Sequence, residues 1–115
     1  MPFTEFEDAT VRAAMDAFIA RRRPEPSLRA EVDLASRIEG LSVVIHEIRP
    51  SYADPSVMSE PMVAKATYVR SKNHWKVLWQ GADLKWHGYE PQKTVKHIDG
   101  FIQLVDEDAH GCFWG

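Results

Sequence analysis

The sequence predicts an α+β domain: a five-stranded antiparallel meander with an N-terminal and a C-terminal helix packed on one face. Helical periodicity is confined to the two ends of the chain. Between them, stretches of period two are separated by short polar turns. No strand is followed by a helix and then another strand, so no βαβ unit builds a parallel sheet.

The first helix is predicted from residue 4 to about residue 22. Thr4 and Glu7 form a capping box, in which each side chain satisfies the other residue's backbone amide. Glu5, Glu7 and Asp8 suit the positive end of the helix dipole, and Arg21, Arg22 and Arg23 the negative end. Val11, Ala14, Met15 and Phe18 make the apolar stripe, and Pro24 and Pro26 stop the helix. The Arg21–Arg23 run also has the composition of a nucleic-acid contact, although complementing a helix end is the commoner use of such a run.

Leu28 to Ile38 alternates as a half-buried strand, with Leu28, Ala30, Val32, Leu34 and Ile38 on one face. A tight turn at Glu39-Gly40 leads into a second strand, Leu41 to Arg49. Val43 and Ile45 face the core there, and Ile48 breaks the parity, so a bulge near His46 is expected. His46 itself reads as a strand residue. Pro50 to Pro61 is the longest loop and a candidate mobile or binding segment. Met62 to Arg70 is the third strand.

Trp75 to Tyr89 supplies the fourth and fifth strands, joined by a turn at Gln80–Asp83 in which Gly81 is free to take positive φ. Trp75, Val77 and Trp79 share one face of the fourth. On the fifth, Leu84, Trp86 and Gly88 share one face, and Lys85, His87 and Tyr89 the other. The indoles are expected to turn inward, leaving the cationic side chains outside.

The last helix starts at about residue 95 or 98, ends at 107, and buries Ile98, Phe101, Ile102 and Val105. Gly100 should cost it about 1 kcal/mol against alanine. Asp106, Glu107 and Asp108 crowd its negative end, so they are either solvated and screened or offset by a group such as a strand lysine or a partner. Phe113 and Trp114 in the tail are expected to dock on the core.

The 115 residues suit one domain, residues 1–115, able to bury about two-thirds of its unfolded surface. The formal net charge of −3 argues against binding a polyanion by bulk electrostatics. No apolar run approaches the ~20 residues of a membrane span. The acidic first residues lack the basic and apolar regions of a secretory signal. Cys112 has no partner for an internal disulfide, so a cytoplasmic location is expected.

Ala64-Lys-Ala-Thr-Tyr-Val69, Trp75-Lys-Val-Leu-Trp79, Ala82-Asp-Leu-Lys-Trp-His87, Tyr89-Glu-Pro91 and Gly111-Cys-Phe-Trp-Gly115 resemble, in order, the small bacterial proteins grouped as domain of unknown function 3024 (DUF3024). The resemblance extends to Arg37-Ile-Glu-Gly40 and Glu47-Ile-Arg-Pro50, and so to most of the chain. It implies no activity. This chain has His46 where the family pattern has a bulky apolar residue, which speaks against a ligand role there, and Gly100 where the pattern has an acidic one.

Three constellations carry chemistry. The sheet face with Lys76, Lys85, His87 and Tyr89 is the candidate ligand-binding surface for a protein or a nucleic acid. Stacking rings and phosphate-holding cations are the ingredients of a nucleic-acid platform, and Tyr68, Trp75, Trp79, Trp86, Lys65 and Arg70 add to them. Alternation nevertheless points the indoles into the core. Asp33, Glu47 and Lys65 have the residue types of a Mg²⁺-dependent phosphodiester hydrolase, though such residues occur on any polar sheet face and cross-strand charge pairing explains them. His87, His110 and Cys112 fall short of the four ligands of a structural zinc, so no metal and no cofactor is expected. The leading expectation is a small cytoplasmic binding module, monomeric or homodimeric, that uses the polar sheet face. A nuclease-like hydrolase is the alternative, and dimerisation along an exposed strand edge is a further one.

Overall fold

The computed structural model of the chain describes residues 2–114. Helix α1 spans Glu5–Arg22 and begins in the expected capping box. The Glu7 amide donates to Thr4 Oγ1 at 3.1 Å, and the Thr4 amide donates to Glu7 Oε1 at 2.9 Å. Arg70 also donates to the Glu7 carboxylate, at 3.0 and 3.1 Å, which ties the start of α1 to the far end of the sheet. That hydrogen bonding, with the Thr4 amide, holds the Glu7 carboxyl below its ordinary range. Val11, Met15 and Phe18 are buried.

The next segment departs from the expected strand. Pro26–Leu28 is a 3₁₀ turn with proline at its start, where a missing N–H costs nothing. Leu28 N–H donates to Glu25 C=O, and the amides of Glu31 and Val32 both donate to Leu28 C=O. Backbone groups bonded locally in this way cannot join a ladder, so the strand starts at Asp33 and Leu28 stays 45% exposed.

Strand β1 (Asp33–Glu39) pairs with β2 (Ser42–Pro50) through the two-residue turn Gly40-Leu41, in unbroken antiparallel register from Asp33↔Ile48 to Glu39↔Ser42. A bulge does occur at His46, but β4 (Met62–Val69) carries it. Ile45 stands opposite Ala64 and His46 opposite Met62, so the extra residue is Val63. Ile48 is therefore not returned to the core parity and lies half-buried opposite Asp33.

Part of the Pro50–Pro61 loop is ordered. Strand β3 (Met58–Ser59) pairs with Arg49 and Pro50, and Asp54 accepts hydrogen bonds from the amide and hydroxyl of Ser56. Strands β5 (His74–Gln80), β6 (Trp86–Gly88) and β7 (Thr94–Val95) complete the sheet. The main path β1-β2-β4-β5-β6 is the expected five-stranded antiparallel sheet; β3 and β7 are short additions to β2 and β5. Helix α2 (Ile98–Glu107) lies over β4, β5 and β7, α1 lies over β1, and the two helices touch. One core cluster joins both helical stripes to Val43, Ile45, Ala64, Ala66, Trp75 and Val77 of the sheet.

Gly100 is explained by this packing. A Cβ at Gly100 would lie 3.0 Å from Val95 Cβ and 3.2 Å from Val95 Cγ1. Val95 is held by its pairing with Trp75, and its β-branched side chain has little freedom to yield. The propensity gain of about 1 kcal/mol from alanine is outweighed by overpacking of about 1–3 kcal/mol. Gly100→Ala is therefore expected to lower stability by about 1 kcal/mol in urea denaturation, instead of raising it.

The acidic end of α2 is offset from within the chain. Arg21 Nη2 donates to Asp106 Oδ2 at 2.8 Å, and Arg22 Nη1 donates to Asp106 Oδ1 at 2.9 Å. Asp108, in the left-handed conformation at φ 40°, accepts the amides of Phe113 and Trp114 and so folds the tail back. Trp114 Nε1 donates to Val105 C=O at 2.9 Å, and the Arg22 guanidinium lies 4.6 Å from the Trp114 ring. Phe113 is buried, as expected.

Two of the aspartates predict a pH dependence. Hydrogen bonds from Arg23 hold the Asp33 carboxyl below its usual range, against partial burial. Burial pushes Asp106 up, and Arg21 and Arg22 together more than reverse it. Groups with depressed folded-state values stabilise the fold fully above the unfolded value of about 4, and the contribution is lost as pH falls through the lower folded value. Stability is therefore expected to decline below about pH 4. Asp106→Ala, measured by urea denaturation at neutral pH, should cost about 1–2 kcal/mol and make the acid decline shallower.

Candidate functional site

The β5–β6 ribbon decides which candidate residues can act together. Its register is Leu78↔Gly88, Trp79↔His87 and Gln80↔Trp86. Residues directly opposite share a face, so His87 lies with Trp79 on the helical side and Trp86 lies on the open side. The rings of Trp79 and His87 are 5.0 Å apart. Lys65 Nζ on the open side is 5.4 Å from the Trp86 ring. Tyr89 donates its amide to Val77 C=O and buries its ring against Phe113 at 5.0 Å.

This reverses the expected faces of the fifth strand. Trp75 is buried and Trp79 packs on the core as expected, but Trp86 faces out and Tyr89 faces in. The connection from residue 81 to 85 sets the parity, with its left-handed residue at Leu84 (φ 64°) and not at Gly81. Gly81 instead leaves room for the Asp83–His87 pair: a Cβ there would lie 2.8 Å from Asp83 Oδ1 and 3.0 Å from His87 Nε2, so these exposed side-chain ends would have to shift. His87 Nε2 stands 3.0 Å from Asp83 Oδ2, over that glycine.

Lys76, Lys85, His87 and Tyr89 thus form no common surface. Lys76 is exposed on the open face opposite Thr67 and Thr94. Lys85 is in the turn, its amide donating to Asp83 Oδ1. His87 is on the helical side, and Tyr89 is in the core.

The hydrolase candidates are also separated. Asp33 and Glu47 border a shallow cleft of about 170 Å³ with Arg22, Val32 and Trp114. Each carboxylate is engaged there, Asp33 by Arg23 at 2.6 Å and Glu47 by Arg49 at 2.8 Å. Lys65 is on the open face, opposite Val44 and Leu78. Among the described residues no group of three or more His, Cys, Asp or Glu side chains is placed to hold a metal ion. The Arg21–Arg23 run is likewise used internally, on Asp106 and Asp33.

A different site is present where the first turns of α1 meet the chain entering α2. An open cleft of about 360 Å³ is lined by Phe3, Phe6, Thr10, Val11, Tyr68, Trp75 and Ile98, with Glu7, Asn73, Lys96, His97 and Asp99 around it. Its aromatic members support one another: Tyr68 and Trp75 are 5.1 Å apart, and Phe3 lies 5.6 Å from Trp75 and 6.4 Å from Tyr68. Tyr68 donates its hydroxyl to Asn73 Oδ1 at 2.6 Å, which fixes the ring. Phe6 is 80% exposed at the rim. Volume and lining match a site for an apolar group. In the sequence, the only signal is that Phe6 falls outside the apolar stripe of α1.

The fold and cleft define a small α+β protein with an aromatic recess at one end. A family model described as Domain of unknown function (DUF3024) matches residues 3–115, and the chain belongs to that family. No curated protein and no solved structure matches it.

Proposed function

We propose that the protein is a small cytoplasmic binding module that takes an apolar side chain of a protein partner into the Phe3–Tyr68–Trp75 recess. The observation that carries this reading is Phe6, a large ring left 80% exposed directly beside a preformed aromatic cleft. Solvent-exposed aromatic rims beside ordered pockets are where partners anchor. Charge favours a protein partner over a nucleic acid. On the open sheet face Arg37 is paired with Glu39 and Glu60, and Trp86 is the one indole there. The arginine run is spent on aspartates. A cytoplasmic location is supported by the lone Cys112, and no helix among the described residues is long and apolar enough to cross a membrane.

The test is an amide chemical-shift titration with short peptides carrying Phe, Leu or Trp. Shifts confined to Val11, Tyr68, Asn73, His97 and Ile98 are expected. Phe6→Ala should weaken binding roughly tenfold, an interface anchor being worth about 1–2 kcal/mol, while leaving stability within about 0.5 kcal/mol. Millimolar peptide with no shift at these residues would remove the proposal.

A further inference from the structure

The two ends of the sheet are finished differently. At one end the borders are three-residue β6 and two-residue β7, edges too short to template another strand. At the other end lies β1, seven residues long, with no proline and a regular ladder to β2. The hydrogen bonds show which of its backbone groups are unused. Leu34 N–H donates to Asp33 Oδ1, and Glu47 N–H, from the residue opposite Leu34, donates across to Pro61 C=O. Leu34↔Glu47 is therefore a pair that exchanges no bonds. In an antiparallel ladder such pairs alternate with bonded ones, so Ser36 and Ile38 also direct their N–H and C=O groups away from β2. A trough of about 460 Å³ runs beside this edge, between Asp16, Ile19 and Ala20 of α1, with Arg23 just beyond it, and residues 33–36 of β1.

We infer that β1 is the contact between two copies of this chain, joined antiparallel about a two-fold axis through Ser36. That register places Ser36 against Ser36 and Leu34 against Ile38 of the second copy, so each free Ser36 amide meets a free Ser36 carbonyl. The Ile38 amide meets the free Leu34 carbonyl, and the Leu34 amide is already satisfied by Asp33. On the helical side the pairing sets Leu34 beside Ile38, both apolar. On the open side it sets Asp33 against Glu39, and each brings its own arginine, Arg23 and Arg37, so four charges balance. Moving the axis by one residue toward the turn, to Arg37, would instead set Ser36 against Ile38 and Leu34 against Gly40, and so lose the apolar match. A closed two-fold contact of this kind stops at the dimer and leaves no edge to recruit a third chain.

Sedimentation velocity of the full chain, from low micromolar to millimolar concentration, tests this. A species of twice the 13.1 kDa chain mass is expected to grow with concentration. Ser36→Pro, which removes the central donor at an edge position, should remain monomeric with an unchanged far-ultraviolet spectrum, and Ser36→Ala should dimerise like the parent. If Ser36→Pro fails to fold, hydrogen exchange on the unaltered chain decides: the Ser36 and Ile38 amides should gain roughly tenfold or more protection as the dimer forms. A chain that stays monomeric throughout, a folded Ser36→Pro that still dimerises, or a dimer in which those amides exchange freely would overturn the inference.

Discussion

Tyr89→Ala is expected to lower the unfolding free energy by about 3–5 kcal/mol, the usual cost of emptying a buried aromatic site. The ring is 2% exposed and packs on Phe113, which is itself 6% exposed, at the junction of β6 with the C-terminal tail. Removing it opens a cavity that a backbone held by its bond to Val77 cannot collapse to fill. Tyr89→Phe keeps the packing and should cost less than about 1 kcal/mol. Burial, with the Asp108 and Glu107 carboxylates nearby, pushes the Tyr89 phenol above its ordinary value. A folded state that holds its proton longer than the unfolded chain loses stability as pH rises past about 10. Urea denaturation of both variants checks these values. A Tyr89 on a solvent-facing sheet surface would tolerate alanine within about 0.5 kcal/mol.

The second large effect is expected at Trp114. Its indole is half-buried, donates to Val105 C=O, and carries the Arg22 guanidinium on its face. Half the area of such a ring at about 25 cal/mol/Å² is about 2–3 kcal/mol, and the cation–π contact adds about 0.5–1 kcal/mol. Trp114→Ala should therefore cost about 2–4 kcal/mol, read from the urea midpoint at constant slope. The effect should be smaller in an Arg22→Ala background, because the two side chains touch. This coupling gives the Arg21–Arg23 run its structural role: it fastens the end of α1 to the end of α2 and to the tail.

What could be read from the residues alone follows how local the determining forces are. Thr4 and Glu7 are three apart and announce the helix start, and the Ile98–Val105 stripe announces α2, which begins at the later of its two expected starts and ends at 107. Leu28 to Val32 misleads because an apolar residue at every second position fits a 3₁₀ turn after proline as well as a strand. The face of β6 could not be read, because it depends on the length of one connection and on Leu84 taking φ 64°. Nothing in the composition near Gly81 announces either. The aromatic recess brings Phe3 and Phe6 against Tyr68 and Trp75, more than sixty positions away, and Arg21 meets Asp106 across 85 positions. Such pairings exist only once the sheet has formed.

The parity of β6 fixes which rings are core and which are surface, and through-space proton contacts report it directly. A NOESY spectrum is expected to connect the Tyr89 ring to Phe113 and the Trp86 indole to the Lys65 side chain. Contacts from Trp86 to Phe113 or to α2, with Tyr89 beside Lys65 instead, would contradict the account.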